Sequence, residues 1–237
     1  MKLLISALLI PMICQAAPTE TRGHYGNSEG LALSYLLIQP SPAAFAPNAK
    51  RPLVVFLHGS GERGDNLDLV KKHGPPMQAL QGDGLPFVVL APQCPAGKSW
   101  DPTTVIALTN KIAAEENIDP TRIHLTGLSM GGFGTWDIIA EAPDLFASAV
   151  PICGGGDPVT APKIKDIPIW TFHGEADDAV PVAKTREMEK ALRKEGAPQL
   201  RCTYYPGVGH DSWTQAYADP ALYAWMMLQS KSTPTGP

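Results

Sequence analysis

Cysteine is scarce in this chain of 237 residues, with four: Cys14, Cys94, Cys153 and Cys202. No Cys-x-x-Cys or zinc-like spacing occurs among them, so no metal is implied. A charge excess of one sign is lacking too. Nineteen Lys and Arg stand against twenty-three Asp and Glu, a formal net charge of −4 with no basic cluster, which argues against nucleic acid as a partner. No apolar run reaches the roughly 18 residues that would span a bilayer, so stable membrane insertion is not expected. No internal repeat, charge run or low-complexity stretch marks a domain boundary.

What the chain does contain begins with a leader. Lys2, the apolar stretch Leu3–Ile13 and then Cys14-Gln15-Ala16 fit a secretory signal peptide with a small-x-small cleavage site. Ile13 occupies the place where a lipidated cysteine wants a small neighbour, so cleavage is expected over lipid anchoring through Cys14. The expected location is secreted or periplasmic. Removal of residues 1–16 leaves 221 of the 237 residues, enough for one α/β domain and too few for a sizeable second one. Three cysteines remain, so at most one intrachain disulfide can form. Residues 17–30 read as an N-terminal extension, 31–229 as a single domain and 230–237 as a flexible tail.

Within the domain, Leu31–Gln39 reads as a strand, followed by a proline- and alanine-rich connection over 40–52. Leu53–Leu57 and Phe87–Ala91 are continuous apolar runs rich in β-branched residues, the pattern of strands buried on both faces. The spacing of Val105, Leu108, Ile112 and Ala113 predicts a helix over 104–117, started by Asp101 and Pro102 and closed by Pro120. Ile123–Thr126, Ala147–Ile152, Ile167–Phe172 and Leu200–Tyr205 read as further strands. Phe133–Ala142, the amphipathic Val182–Glu195 and Asp219–Leu228 read as helices. Strands alternating with helices at this rhythm predict a mostly parallel, doubly wound sheet flanked by helices. The 24 prolines fall mostly between elements and stiffen the loops.

Gly127-Leu128-Ser129-Met130-Gly131 sits between a strand and a helix and reads as a Gly-x-Ser-x-Gly nucleophile elbow. In such a turn the serine takes a strained backbone, so its neighbours must be small, and the helix that follows aims free N–H groups at a developing oxyanion. The pentapeptide arises by chance in glycine-rich chains, so it requires partners. A serine hydroxyl needs a base within hydrogen-bond reach and an acid to orient that base. Both are sought past strand carboxyl ends. The loop 172–181 offers Glu175, Asp177 and Asp178 as acids, and the loop 206–213 offers His210 as base. The resulting order of serine, aspartate and histidine is that of the α/β-hydrolase arrangement.

Gly127-Leu128-Ser129-Met130-Gly131-Gly132, His173-Gly174-x-x-Asp177-x-x-Val180-Pro181 and Gly209-His210 resemble the motifs of the α/β-hydrolase superfamily. They are most similar to its lid-less branch of carboxylesterases, acyl-protein thioesterases and dienelactone-hydrolase-like proteins, which includes secreted esterases often labelled predicted peptidases. The similarity runs from about Leu53 to Leu228. It implies the α/β-hydrolase fold without a sizeable lid, and it implies Asp177, three residues before Val180-Pro181, as the acid. It also implies an oxyanion hole from the backbone N–H groups of Met130 and Ser60, with Gly61 replacing Ser60 if the loop 57–64 is shifted by one. Two such dipoles are worth about 3 kcal/mol each.

Other residues invite functional and plainer readings together. His58 and His173 read as braces for strand-end loops, and His73 as a group that lines the cleft or faces solvent. Asp211 reads as an orienter of its own loop. Arg63 is a possible contact for a polar substrate group, although a solvated pair with Glu62 is the simpler reading. Trp100 and Trp213 are candidates for an aromatic wall as much as for core packing. The function expected is that of a secreted serine carboxylesterase cleaving short-chain or polymer-linked acyl esters, without cofactor or metal. Only 48 residues separate Ser129 from Asp177, which leaves no space for a lid domain and predicts an open pocket. A serine peptidase or amidase would use the same triad. A non-catalytic binding domain would be expected to have lost a triad member, and nothing in the sequence sets an oligomeric state.

Overall fold

The computed structural model describes residues 17–26, 32–81 and 84–232. The leader, Leu31 and residues 233–237 lie outside the described residues. Eight strands form one sheet: β1 (Thr19–Gly26), β2 (Ala32–Gln39), β3 (Arg51–Leu57), β4 (Val88–Gln93), β5 (Ile118–Leu128), β6 (Ser148–Ile152), β7 (Ile169–Gly174) and β8 (Leu200–Tyr205). Their spatial order is β1-β2-β4-β3-β5-β6-β7-β8. β1 and β2 are antiparallel to their neighbours, and the pairs from β4 to β8 are parallel. The helices are α1 (Gly74–Ala79), α2 (Pro102–Glu115), α3 (Met130–Glu141), α4 (Ala161–Ile164), α5 (Ala183–Lys194), α6 (Trp213–Ala218) and α7 (Pro220–Met227). This is the doubly wound α/β-hydrolase architecture, with no inserted lid among the described residues.

Alternation along the strands divides the core in two. Leu53, Val55 and Leu57 face Val105 and Leu108 of α2, Trp136 of α3 and Met188 of α5. Val54 and Phe56 share the other face with Tyr217 of α6 and with Leu222 and Met226 of α7. Both faces are covered, which is why β3 and β4 read as unbroken apolar runs.

Three expectations need correction. Thr19–Gly26, read as an extension ahead of the domain, pairs with β2 over all eight of its residues and is the outermost strand. Its sequence is polar and mostly exposed, so no apolar alternation announced it. Its place is held by backbone bonds and by ion pairs from Arg22 to Asp68 and from Lys71 to Glu20. Pro120 does not precede the fifth strand but lies inside it, where the register against β3 slips between Arg51 and Leu53; such an irregularity tolerates a residue without an N–H. Lys231, assigned to a flexible tail, docks instead. Its N–H donates to Thr121 O at 2.9 Å, and its Nζ to Asp144 O and Leu145 O at 2.6 and 3.0 Å.

The topology positions the site. The chain leaves β3 towards β4 on one side and leaves β5 towards β6 on the other, so the loops after these adjacent strands diverge and open a crevice at their carboxyl ends. The loop after β3 carries Ser60, and β5 ends one residue before Ser129. Ser129 itself has φ 53° and ψ −116°, a strained conformation for a residue with a side chain. It is held there because α3 starts in near contact with β3. A Cβ at Gly131 would collide with the carbonyl oxygens of Leu57 and His58, and one at Gly127 with that of Gly131. The Ser129 N–H is tied to Ile152 O of β6 at 3.0 Å.

Three histidines are interred in or just past central strands: His58, His124 and His173, at 1%, 0% and 0% exposure. Burial lowers the pKa of His58 to about 4 and that of His124 to about 3, and it lowers that of His173 as well. His124 bonds Ser148 Oγ at 2.9 Å through Nδ1, and its Nε2 has no partner among the described residues.

Two outcomes follow from this packing. Gly131→Ala should lower stability by about 3 kcal/mol, because backbone oxygens cannot yield as side chains do; a denaturant midpoint within error of wild type would contradict the close approach. Acid should also act on the fold. Each buried histidine is neutral in the native state and titrates near 6.5 when unfolded, so stability is full above that pH. It is lost as pH falls from about 6.5 towards 4, at up to about 1.4 kcal/mol per pH unit for each histidine. Urea titrations at pH 7 and pH 4.5 should differ by several kcal/mol, and equal stabilities would contradict burial of neutral imidazoles.

Candidate active site

Three strand-end loops bring Ser129, Asp177 and His210 together. His210 Nε2 lies 2.9 Å from Ser129 Oγ, and His210 Nδ1 lies 2.8 Å from Asp177 Oδ2. A carboxylate only accepts, so Nδ1 carries the proton and Nε2 is free to accept from the serine hydroxyl. The acid and base loops are joined by Glu175 N–H to Tyr205 O at 3.0 Å and Ala176 N–H to Val208 O at 2.9 Å. The other acids are engaged elsewhere. Glu175 pairs with Arg186, Asp178 is exposed, and Asp211 accepts from the Thr214 N–H at 3.3 Å and hydroxyl at 2.7 Å, orienting its own loop.

Asp177 is more heavily coordinated than the motifs implied. Its Oδ1 accepts from the N–H groups of Ala179 and Val180 at 3.0 and 2.8 Å. Its Oδ2 faces a second imidazole, with His173 Nε2 at 3.1 Å. Burial pushes this carboxyl up, but the bonds from His210, Val180 and Ala179 outweigh burial and hold it below the usual carboxylate range. His173 Nε2 also lies 2.9 Å from Val180 O, so both its neighbours are acceptors and Nε2 carries the hydrogen. Its Nδ1 lies 2.7 Å from the Thr185 hydroxyl, which is itself 2.9 Å from Gly154 O. His173 therefore braces its loop, and does so through Asp177.

His58 is a brace as well. Its Nδ1 donates to Gly59 O at 2.6 Å, and its Nε2 accepts from Cys94 N–H at 3.0 Å. Trp100 Nε1 donates to His58 O at 3.1 Å, and the two rings meet edge to face at 4.8 Å. The loop after β3 touches the nucleophile at Gly59, where a Cβ would lie 3.7 Å from Ser129 Cβ. The N–H of the next residue, Ser60, and that of Met130 have no acceptor among the described residues. At Gly61 the chain has moved off, with nothing within 4 Å of a built Cβ.

Two flanks border Ser129. On one, Trp213 meets His210 edge to face at 5.3 Å and His73 at 5.8 Å, and His73 Nε2 lies 3.9 Å from Glu62 Oε1. Glu62 is therefore buried against the cleft instead of forming a solvated pair with Arg63. Arg63, a candidate substrate contact, is spent on the carbonyls of Ser60 and Lys98 at 3.0 and 3.1 Å. The other flank is a cavity of about 360 Å³ that runs from Ser129 past Trp100 and Phe133 to Asp137. Phe133 and Asp137 went unnoticed in the sequence, although they follow Met130 at three and seven residues on a helix beginning at the elbow. A larger cavity of about 950 Å³, between Pro120 and Lys231, lies at the opposite end of the strands and away from the reactive groups.

Cys94, Cys153 and Cys202 are all unpaired. Cys153 lies beneath the triad with φ 40°, and Cys153, Asp177 and His210 hold their ligand atoms within 4.8 Å of one another. Burial pushes the Cys153 thiol up to about 12, so it stays protonated, and Asp177 and His210 already bond each other. The set suits proton transfer between Ser129 and His210 better than it suits a metal.

Comparison with known proteins agrees with this geometry. Residues 102–221 match the dienelactone hydrolase family, a span that includes Ser129, Asp177 and His210. The chain is 28% identical over 193 residues to the bifunctional acetylxylan esterase/xylanase XynS20E of Neocallimastix patriciarum, covering 78% of this chain and 27% of that protein. It is 31% identical over 131 residues to poly(3-hydroxyalkanoate) depolymerase C of Paucimonas lemoignei, covering 48% and 30%. The chain thus spans less than a third of these two curated relatives. The crystal structure of a thermostable esterase superposes with a TM-score of 0.80 at 38% identity, over 90% of this chain and 63% of that one. With the elbow, the strand order and the family match in agreement, the chain belongs to the dienelactone hydrolase family of the α/β-hydrolase superfamily.

Proposed function

We propose that this protein is a serine carboxylesterase that cleaves short-chain or polymer-linked acyl esters through a covalent acyl-enzyme. The observation that carries the reading is the unbroken hydrogen-bonded relay from Ser129 through His210 to Asp177, at 2.9 and 2.8 Å, built on a strained elbow. The names of the relatives, an acetylxylan esterase and a polyester depolymerase among them, support ester cleavage.

In this mechanism His210 Nε2 takes the Ser129 proton as Oγ attacks the ester carbonyl. The carbonyl electrons move to oxygen, which the N–H groups of Ser60 and Met130 stabilise. Collapse of that intermediate breaks the bond to the alcohol oxygen, and His210 gives that oxygen its proton. Water, deprotonated by His210, then attacks the acyl-enzyme, and the acid leaves as Ser129 recovers its hydrogen. Asp177 fixes the tautomer throughout and stabilises the imidazolium. Its bond to His173 limits how far the carboxylate can turn. The cleft is open to solvent and has no lid among the described residues, which suits small esters and acyl groups borne on a polymer.

The leader over residues 1–16 supports a secreted or periplasmic location. Expression with the native leader should yield a mature chain beginning at Ala17, read by intact mass; a full-length soluble chain would refute export by this route. Kinetics test the chemistry. Ser129→Ala should lower kcat/KM for p-nitrophenyl butyrate by at least about 10³-fold with the fold retained. In the same assay wild-type kcat/KM should fall on the acid side with the slope of a single proton, as general-base catalysis requires, within the range where the protein stays folded. Retained turnover in the alanine variant, or a flat profile, would remove the mechanism. Matched ester and amide substrates should show the ester turned over faster; a preference for the amide would favour a peptidase.

A further inference from the structure

The flank that carries His210 and Trp213 also holds a buried carboxylate, that of Glu62. The turn Ser60–Glu62 brings this side chain back towards the elbow. A Cβ built on Gly59 would lie 3.3 Å from Glu62 Oε2 and 3.7 Å from Ser129 Cβ, so the carboxylate is no farther from Ser129 Cβ than those two distances together. Glycine at 59 keeps the space between them open. The Glu62 carbonyl accepts from Gln93 Nε2 at 2.8 Å, which fixes the backbone beneath the side chain. That side chain is 10% exposed, yet neither carboxylate oxygen is sealed from the surface.

This carboxylate lacks a fixed counter-charge. Among the described residues no hydrogen bond reaches it, and Arg63, its neighbour in sequence, spends its guanidinium on the carbonyls of Ser60 and Lys98. Its one ion-pair contact among the described residues is His73 Nε2, at 3.9 Å from Oε1 and beyond hydrogen-bond reach. The His73 and Trp213 rings meet edge to face at 5.8 Å and wall the same flank. A negative charge this close to Ser129 opposes the oxyanion that forms there, and the low polarity of a buried site magnifies the opposition. A substrate that brings its own cation removes that penalty and turns the carboxylate into a binding group.

The direction of the reaction decides which half of the ester meets Glu62. His210 must protonate the departing oxygen, so the alcohol lies on the flank that His210, Trp213, His73 and Glu62 share. With ordinary bond lengths a two-carbon spacer puts a cationic nitrogen roughly 4 Å from the ester oxygen, which suits the short span from Ser129 to Glu62. We infer that Glu62 determines specificity for the alcohol half of the ester, and that this flank takes an alcohol bearing a cationic nitrogen two carbons from the ester oxygen. The inference rests on Ser129 being the nucleophile.

The test uses the full chain and two esters of one shape, butyrylcholine and 3,3-dimethylbutyl butyrate, which differ by a single charge. Wild type should prefer the cationic ester by about tenfold in kcat/KM at low ionic strength, the effect of one partly buried charge pair. Glu62→Gln, which keeps the shape and removes the charge, should bring that ratio towards one by lowering the choline ester and raising the neutral one. Glu62→Met is a second uncharged variant, used if the glutamine form does not fold. Each ratio is internal to one protein, so a general loss of activity cancels. No preference in wild type, or a preference that survives loss of the carboxylate, overturns the inference. A tenfold preference for 2-hydroxyethyl butyrate over propyl butyrate, without one for the choline ester, would overturn it in favour of a hydroxylated alcohol. If wild type hydrolyses none of these esters nor p-nitrophenyl butyrate, the nucleophile reading itself has failed and takes the inference with it.

Discussion

The near contact between the first turn of α3 and the carboxyl ends of β3 and β6 is the constraint on which the rest depends. Gly131 admits the Leu57 and His58 carbonyls, and the Ser129 N–H is drawn to Ile152, so the chain can turn from β5 into α3 only with Ser129 at positive φ. Strain of this kind costs on the order of 1–3 kcal/mol and persists only when the surroundings over-determine it. The same contact carries the Ser129 hydroxyl to the crevice, within reach of His210.

A second layer of control is electrostatic. Asp177 is buried, yet three kinds of donor keep it ionised: two backbone N–H groups, the base His210 and the interred His173. An isolated carboxylate at this depth would take up a proton; a coordinated one stays charged and keeps its geometry. Beneath it, the Cys153 thiol is driven the other way by burial and offers no competing nucleophile. Environment, and not residue type, sets the Ser129 hydroxyl, within hydrogen-bond reach of His210, apart from the buried, protonated thiol beside it.

The parts of the fold and site that could be read from sequence were those governed by local rules. The elbow announces itself because only small residues fit around Ser129, and Asp177 and His210 stand just past runs that must be strands. β3 and β4 were legible because burial on both faces removes polar residues. β1 was not, since an exposed edge strand held by backbone bonds and ion pairs carries no apolar signature. Glu62 was misread beside Arg63, because adjacency in sequence does not reveal that one side chain turns in to the cleft while the other reaches the Ser60 and Lys98 carbonyls. The second donor on Asp177 depends on α5 bringing Thr185 against His173, a contact between elements that no local pattern contains.

The central claim is that Ser129 is the one activated nucleophile in a preformed relay. The most direct measurement is covalent labelling of the native protein with a fluorophosphonate probe, followed by peptide mass spectrometry. The account predicts a single adduct, on Ser129, formed in the folded protein and abolished by prior denaturation. No adduct on folded protein that hydrolyses esters, or an adduct on another side chain such as Cys153, would contradict it.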